Sequence, residues 1–140
     1  MVKIEWDDSL SVGIHLIDEQ HKMLIQRLQA LVHAIATYQS VNEIVKTLDF
    51  LIEYTTFHFS TEEKHMKEMY YPEVEYHTTQ HEEFKTTLRE LNVDFEEEGA
   101  TRALAESVNT FLMNWLVTHI KAVDLLFGTF VTQKGLSLPG

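Results

Sequence analysis

Between His58 and His81 the chain reads H-F-S-T-E-E-K-H-M-K-E-M-Y-Y-P-E-V-E-Y-H-T-T-Q-H. Two pairs of potential metal donors stand four residues apart in it: His58 with Glu62, and His77 with His81. Residues four apart on a helix share a face about one turn from each other, so each pair can aim two donor atoms at one point. Tyr71-Pro72 separates the pairs, and proline suits a first helical position but not an interior one. Two consecutive helices facing each other across that break would supply most of a metal site. Imidazole suits iron, zinc, copper and nickel, and a bridging carboxylate suits a pair of hard-to-borderline ions.

The composition narrows the chemistry further. The 140 residues contain no cysteine, which removes disulfides, iron–sulfur clusters and thiolate zinc sites. A net charge of -11 argues against a nucleic-acid or anionic-membrane partner. The start, Met1-Val2-Lys3-Ile4-Glu5-Trp6-Asp7-Asp8, has no apolar secretory core, and no run approaches the roughly 20 apolar residues of a membrane span. The expectation is a soluble, acidic, cytoplasmic protein of one domain over residues 1–140, with no membrane and no nucleic acid among its partners.

Helical periodicity places the donors. Residues 1–16 show no sustained period and are expected to form an irregular arm, with Trp6 packed on the body and His15 solvated. Ile17, Leu24, Leu28, Leu31 and Ile35 then follow a 3-4-3-4 alternation in which His21 fills the missing place, with His33 beside the stripe. Ser40-Val41-Asn42-Glu43 has the form of a capping box and predicts a second helix from about residue 41. Its single face holds Ile44, Leu48, Leu51, Thr55, His58, Glu62, His65 and Met69. The third helix aligns Val74, His77, His81, Phe84, Leu88, Leu91 and Phe95, and Gly99 is its expected stop. The fourth, from about Thr101, aligns Leu104, Val108, Phe111, Leu112, Trp115, His119, Val123 and Leu126, with Gly128 as its end. Four amphipathic helices with short connections predict an all-α, up-down-up-down four-helix bundle over about 17–127, with a loose or disordered tail at 128–140.

Each predicted helix brings at least one histidine to its apolar face: His21, His58, His77 with His81, and His119. A single buried histidine is usually a satisfied core residue. Five on facing stripes with Glu62 among them point to metal, because unpartnered imidazoles and a carboxylate are costly to bury. A ferritin-like di-iron site would need Glu-x-x-His on two helices. Only Glu62 to His65 offers that spacing.

Beyond these pairs, V-G-I-H-L-I-D-E-Q-H-K around His21, H-F-S-T-E-E around His58, H-T-T-Q-H at His77 and W-L-V-T-H-I-K-A-V-D ending at Asp124 span about residues 6–127. In order and spacing they resemble the bacterial-type hemerythrins, four-helix oxygen-binding proteins with a non-haem di-iron centre. The resemblance implies that His77, His81 and His119 hold one iron (Fe2+/Fe3+) and that His21 and His58 hold the other. Glu62 and Asp124, with an oxo or hydroxo group, would bridge them. It also implies dioxygen as the ligand, bound at an open position on the second iron, and places Leu24, Trp115 and Ile120 around that pocket. Spacing alone would not select Asp124: it lies five residues after His119, roughly 140° around an ideal helix. A π-bulge or bent final turn would be needed to bring it inward.

Two positions depart from the family pattern. His65 stands where an apolar residue or tyrosine is expected, and reads either as a core or outer-layer histidine or as an extra ligand or proton donor. Leu125-Leu126-Phe127 replaces a lysine-containing continuation, with consequences for tail or oligomer contacts. Three functions remain open on the sequence. They are reversible dioxygen binding without catalysis, oxygen or redox sensing through a separate and unidentified protein partner, and a di-iron peroxidase or nitric oxide-handling enzyme. His65 is the one local feature that favours the last.

Overall fold

A computed structural model describes residues 5–37, 39–99 and 101–135, excepting the side chains of Val41, Glu98, Arg102, Leu104, Ala105, Val108 and Asn109. The expectations for Leu104, Val108 and residues 136–140 lie outside the described residues. Four long helices make up the body: α1 (His15–Ala36), α2 (Val41–Glu68), α3 (Val74–Glu98) and α4 (residues 102–133). No strand occurs among the described residues. Helix α1 packs on α2 and α2 on α3, while α4 closes the ring against α1 and α3. The fold is an all-α, up-down-up-down four-helix bundle.

Local chemistry accounts for the helix ends. Ser40 Oγ accepts from the Glu43 backbone N–H at 3.2 Å and starts α2 as the capping pattern predicts. The α2 end is a Schellman turn. Tyr71 N–H returns to the Met66 carbonyl at 2.9 Å and Tyr70 N–H to Lys67 at 3.2 Å, with Tyr70 at φ 56°. Pro72 therefore lies just outside the helices, and α3 starts two residues later than a first-position proline would place it. Gly99, at φ 75°, stops α3 as expected.

The predicted apolar faces of α1, α2 and α3 go inward, and Leu28, Leu31, Ile44, Leu48, Leu51 and Leu88 are each no more than 1% exposed. Helix α4 differs from its expected pattern. It contains two π-helical stretches, Val108–Leu112 and Ile120–Asp124. Each π turn takes up an extra residue and rotates the rest of the helix beyond it. Phe111 and Leu126, both expected on the buried face, are consequently 71% and 58% exposed, while Leu112 and Phe127 point inward. Residues Thr110–Gln133 are long and apolar enough to cross a membrane by length and composition, contrary to the sequence expectation, but the buried share of this stretch faces the bundle core.

Nor does α4 stop at Gly128; it continues to Gln133, burying Phe127 and Val131. The N-terminal arm explains the glycine. Asp18 of α1 accepts from the Val12 N–H at 2.9 Å and ties the arm down, while Trp6 packs partly buried against the core with Lys22 over its ring. Val12 crosses α4 at Gly128, where an added Cβ would stand 2.1 Å from the Val12 carbonyl oxygen. Because backbone rather than a flexible side chain blocks that space, Gly128→Ala is expected to destabilise the protein by about 1–3 kcal/mol through overpacking. An unchanged denaturation midpoint would refute that close approach.

Candidate metal centre

Seven side chains converge in one half of the bundle: His21 from early α1, His58 and Glu62 from late α2, His77 and His81 from early α3, and His119 and Asp124 from late α4. None is more than 2% exposed. Alternating chain direction brings these early and late segments to the same depth. The i,i+4 spacing aligns His58 with Glu62 and His77 with His81 on their helices. Asp124 arrives by another route: the π stretch Ile120–Asp124 absorbs one residue, so a position five after His119 returns to the inner face.

The donors fall into two overlapping groups. Glu62, His77, His81, His119 and Asp124 form one; His21, His58, Glu62 and Asp124 form the other. Within each group the donor atoms all lie within 4.8 Å of one another. Three imidazoles thus belong to one group and two to the other, and both carboxylates belong to both. His–carboxylate N···O separations run from 2.7 to 3.3 Å. Short as they are, these contacts lack hydrogen-bonding geometry. The Nε2 atoms of all five histidines and both oxygens of Glu62 and of Asp124 are buried without a hydrogen-bond partner. Atoms that crowd together without aiming at one another fit a common cation at the centre of each group. Nine buried polar atoms left unpaired would otherwise carry a heavy desolvation cost. The residues fit a pair of metal ions on this ground alone.

The outward nitrogens of three histidines are held by residues that spacing arguments did not select. His58 Nδ1 meets Gln20 Oε1 at 2.6 Å, His81 Nδ1 meets Glu63 Oε2 at 2.8 Å, and His119 Nδ1 meets Gln80 Oε1 at 3.0 Å. An oxygen acceptor there fixes the proton on Nδ1 and leaves the Nε2 lone pair directed inward. Gln20, Glu63 and Gln80 each adjoin a converging residue in sequence, and each serves a histidine on a neighbouring helix. Aromatic rings buttress the same imidazoles. Phe59 stacks on His81 with centroids 3.8 Å apart, and Trp115 on His119 at 4.6 Å. Of the three expected pocket residues, Leu24 and Ile120 are buried and Trp115 is half-buried against the three-histidine group. His65 is buried too, but belongs to neither donor group and lies 3.7 Å from Glu68.

Electrostatics without metal are those of acids and bases forced together. Burial, then the nearby Asp124 charge, opposes ionisation of Glu62, yet the His58 and His81 imidazoles hold its pKa down at about 2. Burial likewise works against the Asp124 carboxylate, but His119 and His21 keep it ionised well below its ordinary range. Burial disfavours a charged His81, whereas Glu62 and Glu63 outweigh it and raise its pKa to about 9. Burial lowers the His58 pKa, with Glu62 pulling the other way.

Metal loading must compete with these protons. Below a pH of about 9 the metal-free His81 is protonated, so a cation at Nε2 must displace a proton. Adding Zn(II) to metal-free protein at pH 7 should release about one proton per chain from this residue, read with an indicator dye in weak buffer. Loading should weaken as the pH falls. Glu63→Gln keeps an acceptor oxygen but removes the charge, so it should release fewer protons and retain metal roughly tenfold less well. Release unchanged by that substitution would show that Glu63 does not control His81.

Residues 12–130 match the hemerythrin HHE cation binding domain. The chain is 32% identical to the bacteriohemerythrin of Stenotrophomonas maltophilia (strain R551-3), over 89% of this chain and 78% of that protein. It is also 32% identical to the bacteriohemerythrin of Methylococcus capsulatus, over 83% and 86% respectively. A wild-type hemerythrin crystal structure superposes with a TM-score of 0.80 at 28% identity, covering 91% of this chain and 97% of the other. Taken with the buried donor set and the four-helix bundle that carries it, these matches establish that the chain belongs to the hemerythrin family.

Proposed function

We propose that this protein binds dioxygen reversibly at a non-haem di-iron centre, for storage, transport or delivery of oxygen. His77, His81 and His119 would hold one iron and His21 and His58 the other, with Glu62 and Asp124 bridging them together with an oxo or hydroxo group. The observation that carries the reading is the asymmetry of the two groups, five protein donors against four. One fewer donor beside His21 and His58 leaves a position for an exogenous ligand. When bound, an iron pair supplies the redox couple and the vacant coordination site that reversible oxygen uptake requires.

The chain's own residues support uptake and release rather than turnover. Gln20, Glu63 and Gln80 orient the His58, His81 and His119 imidazoles and keep their outer nitrogens protonated. Leu24 and Ile120, each no more than 1% exposed, would supply apolar walls that exclude water.

The test is spectroscopic. Protein purified in air should carry two irons per chain and show a visible charge-transfer band that bleaches on deoxygenation and returns with oxygen. Iron content near zero would defeat the reading. A ferrous form that oxidises at once, with no oxygenated state, would favour an enzyme instead.

A further inference from the structure

A concavity opens on the outer side of His119. It lies between α3 and α4, has a volume of about 560 Å³, and is lined by Tyr76, Gln80, Phe111, Asn114, Trp115 and His119 among others. Among the described residues, no Asp, Glu, Lys or Arg lines it, although the chain carries 22 acidic residues and a net charge of -11. By contrast, the neighbouring groove on the same pair of helices includes Glu90 and Asp94. Phe111 and Tyr76 leave large ring surfaces in water, 71% and 55% exposed. Thr110, Asn114 and Thr118 add uncharged hydrogen-bonding groups.

From this lining we propose that the groove binds a small, uncharged, planar aromatic molecule bearing hydroxyl or carbonyl groups on its edge. Ring surface from Phe111 and Tyr76 takes the plane of the ligand, and the amide and hydroxyl groups take its edge. The lack of charge among the described lining residues leaves an ionic ligand without a partner, and the net charge of -11 disfavours an anion.

The groove also reaches the metal centre through a defined chain. Gln80 Nε2 donates to Tyr76 Oη at 2.8 Å, and Gln80 Oε1 meets His119 Nδ1 at 3.0 Å. A ligand that donates to the Tyr76 hydroxyl oxygen competes with Gln80 Nε2 for that acceptor and thereby acts on the orientation of His119. Linkage makes the effect reciprocal: whatever fixes His119 alters affinity in the groove. Binding itself does not require the di-iron reading, since His119 alone of the described lining residues belongs to a donor group.

The protein as purified is titrated calorimetrically with 2-naphthol and with the anion 2-naphthoate. The expected result is saturable one-site binding of 2-naphthol and clearly weaker binding of 2-naphthoate. Loss of one aromatic contact in Phe111→Ala should weaken 2-naphthol about fivefold. Thr118→Arg, at an exposed position, should shift the preference toward 2-naphthoate. Absence of saturable binding, equal affinity for the two probes, or 2-naphthol affinity unchanged in both variants would overturn the proposal. So would sedimentation showing a dimer that Phe111→Ala dissociates, because a second copy would then cover the groove. Failure of iron loading or oxygen binding leaves these titrations interpretable, so the two readings fail separately.

Discussion

Two carboxylates buried among five imidazoles set the terms for this structure. Glu62 and Asp124 are each no more than 1% exposed, and all four of their oxygens lack a hydrogen-bond partner. Carboxylates so placed are tolerable only with compensating positive charge, whether protons on the histidines or metal cations. Protons and metal therefore compete for the same atoms. The raised His81 and the depressed Glu62 and Asp124 are the proton-bound answer to a site whose donor geometry suits cations. Every helix contributes to this cluster, so the bundle cannot open at one helix without exposing donors from the others.

The remainder of the interior divides the labour. Leu28, Leu31, Ile35, Ile44, Leu48, Leu91 and Phe95 form the apolar half, which needs no partner beyond itself. In the polar half, precision comes from a ring of supports outside the donors. Gln20, Glu63 and Gln80 hold three imidazoles by hydrogen bonds, and Phe59 and Trp115 hold two by stacking. Three of the five imidazoles are thus held from the side away from the donor groups.

How far the sequence could disclose this arrangement depended on the kind of helix. On α1, α2 and α3 the 3.6-residue period holds, and His21, His58, Glu62, His77 and His81 were legible from spacing. On α4 it fails twice. Asp124 required family resemblance because a π turn cannot be read from residue types, and the same turns misplace Phe111 and Leu126. Gly128 looked like a terminator because the carbonyl that needs its missing side chain comes from Val12, far away in the chain. Gln20, Glu63 and Gln80 were hidden for a related reason: a residue beside a converging one faces sideways, and only the neighbouring helix reveals its partner.

The π turn at Ile120–Asp124 has a consequence for the architecture of α4 as a whole. By adding one residue to the turn it sets the phase of everything downstream, so that Phe127 and Val131 face the core and Gly128 lies under the arm. Rewinding the same residues into a regular helix, with none removed, would swing Asp124 outward. It would also carry a bulkier side chain beneath Val12. Arm and donor cluster are indexed to the same extra residue, which makes the length of this one turn, more than its composition, the setting both depend on.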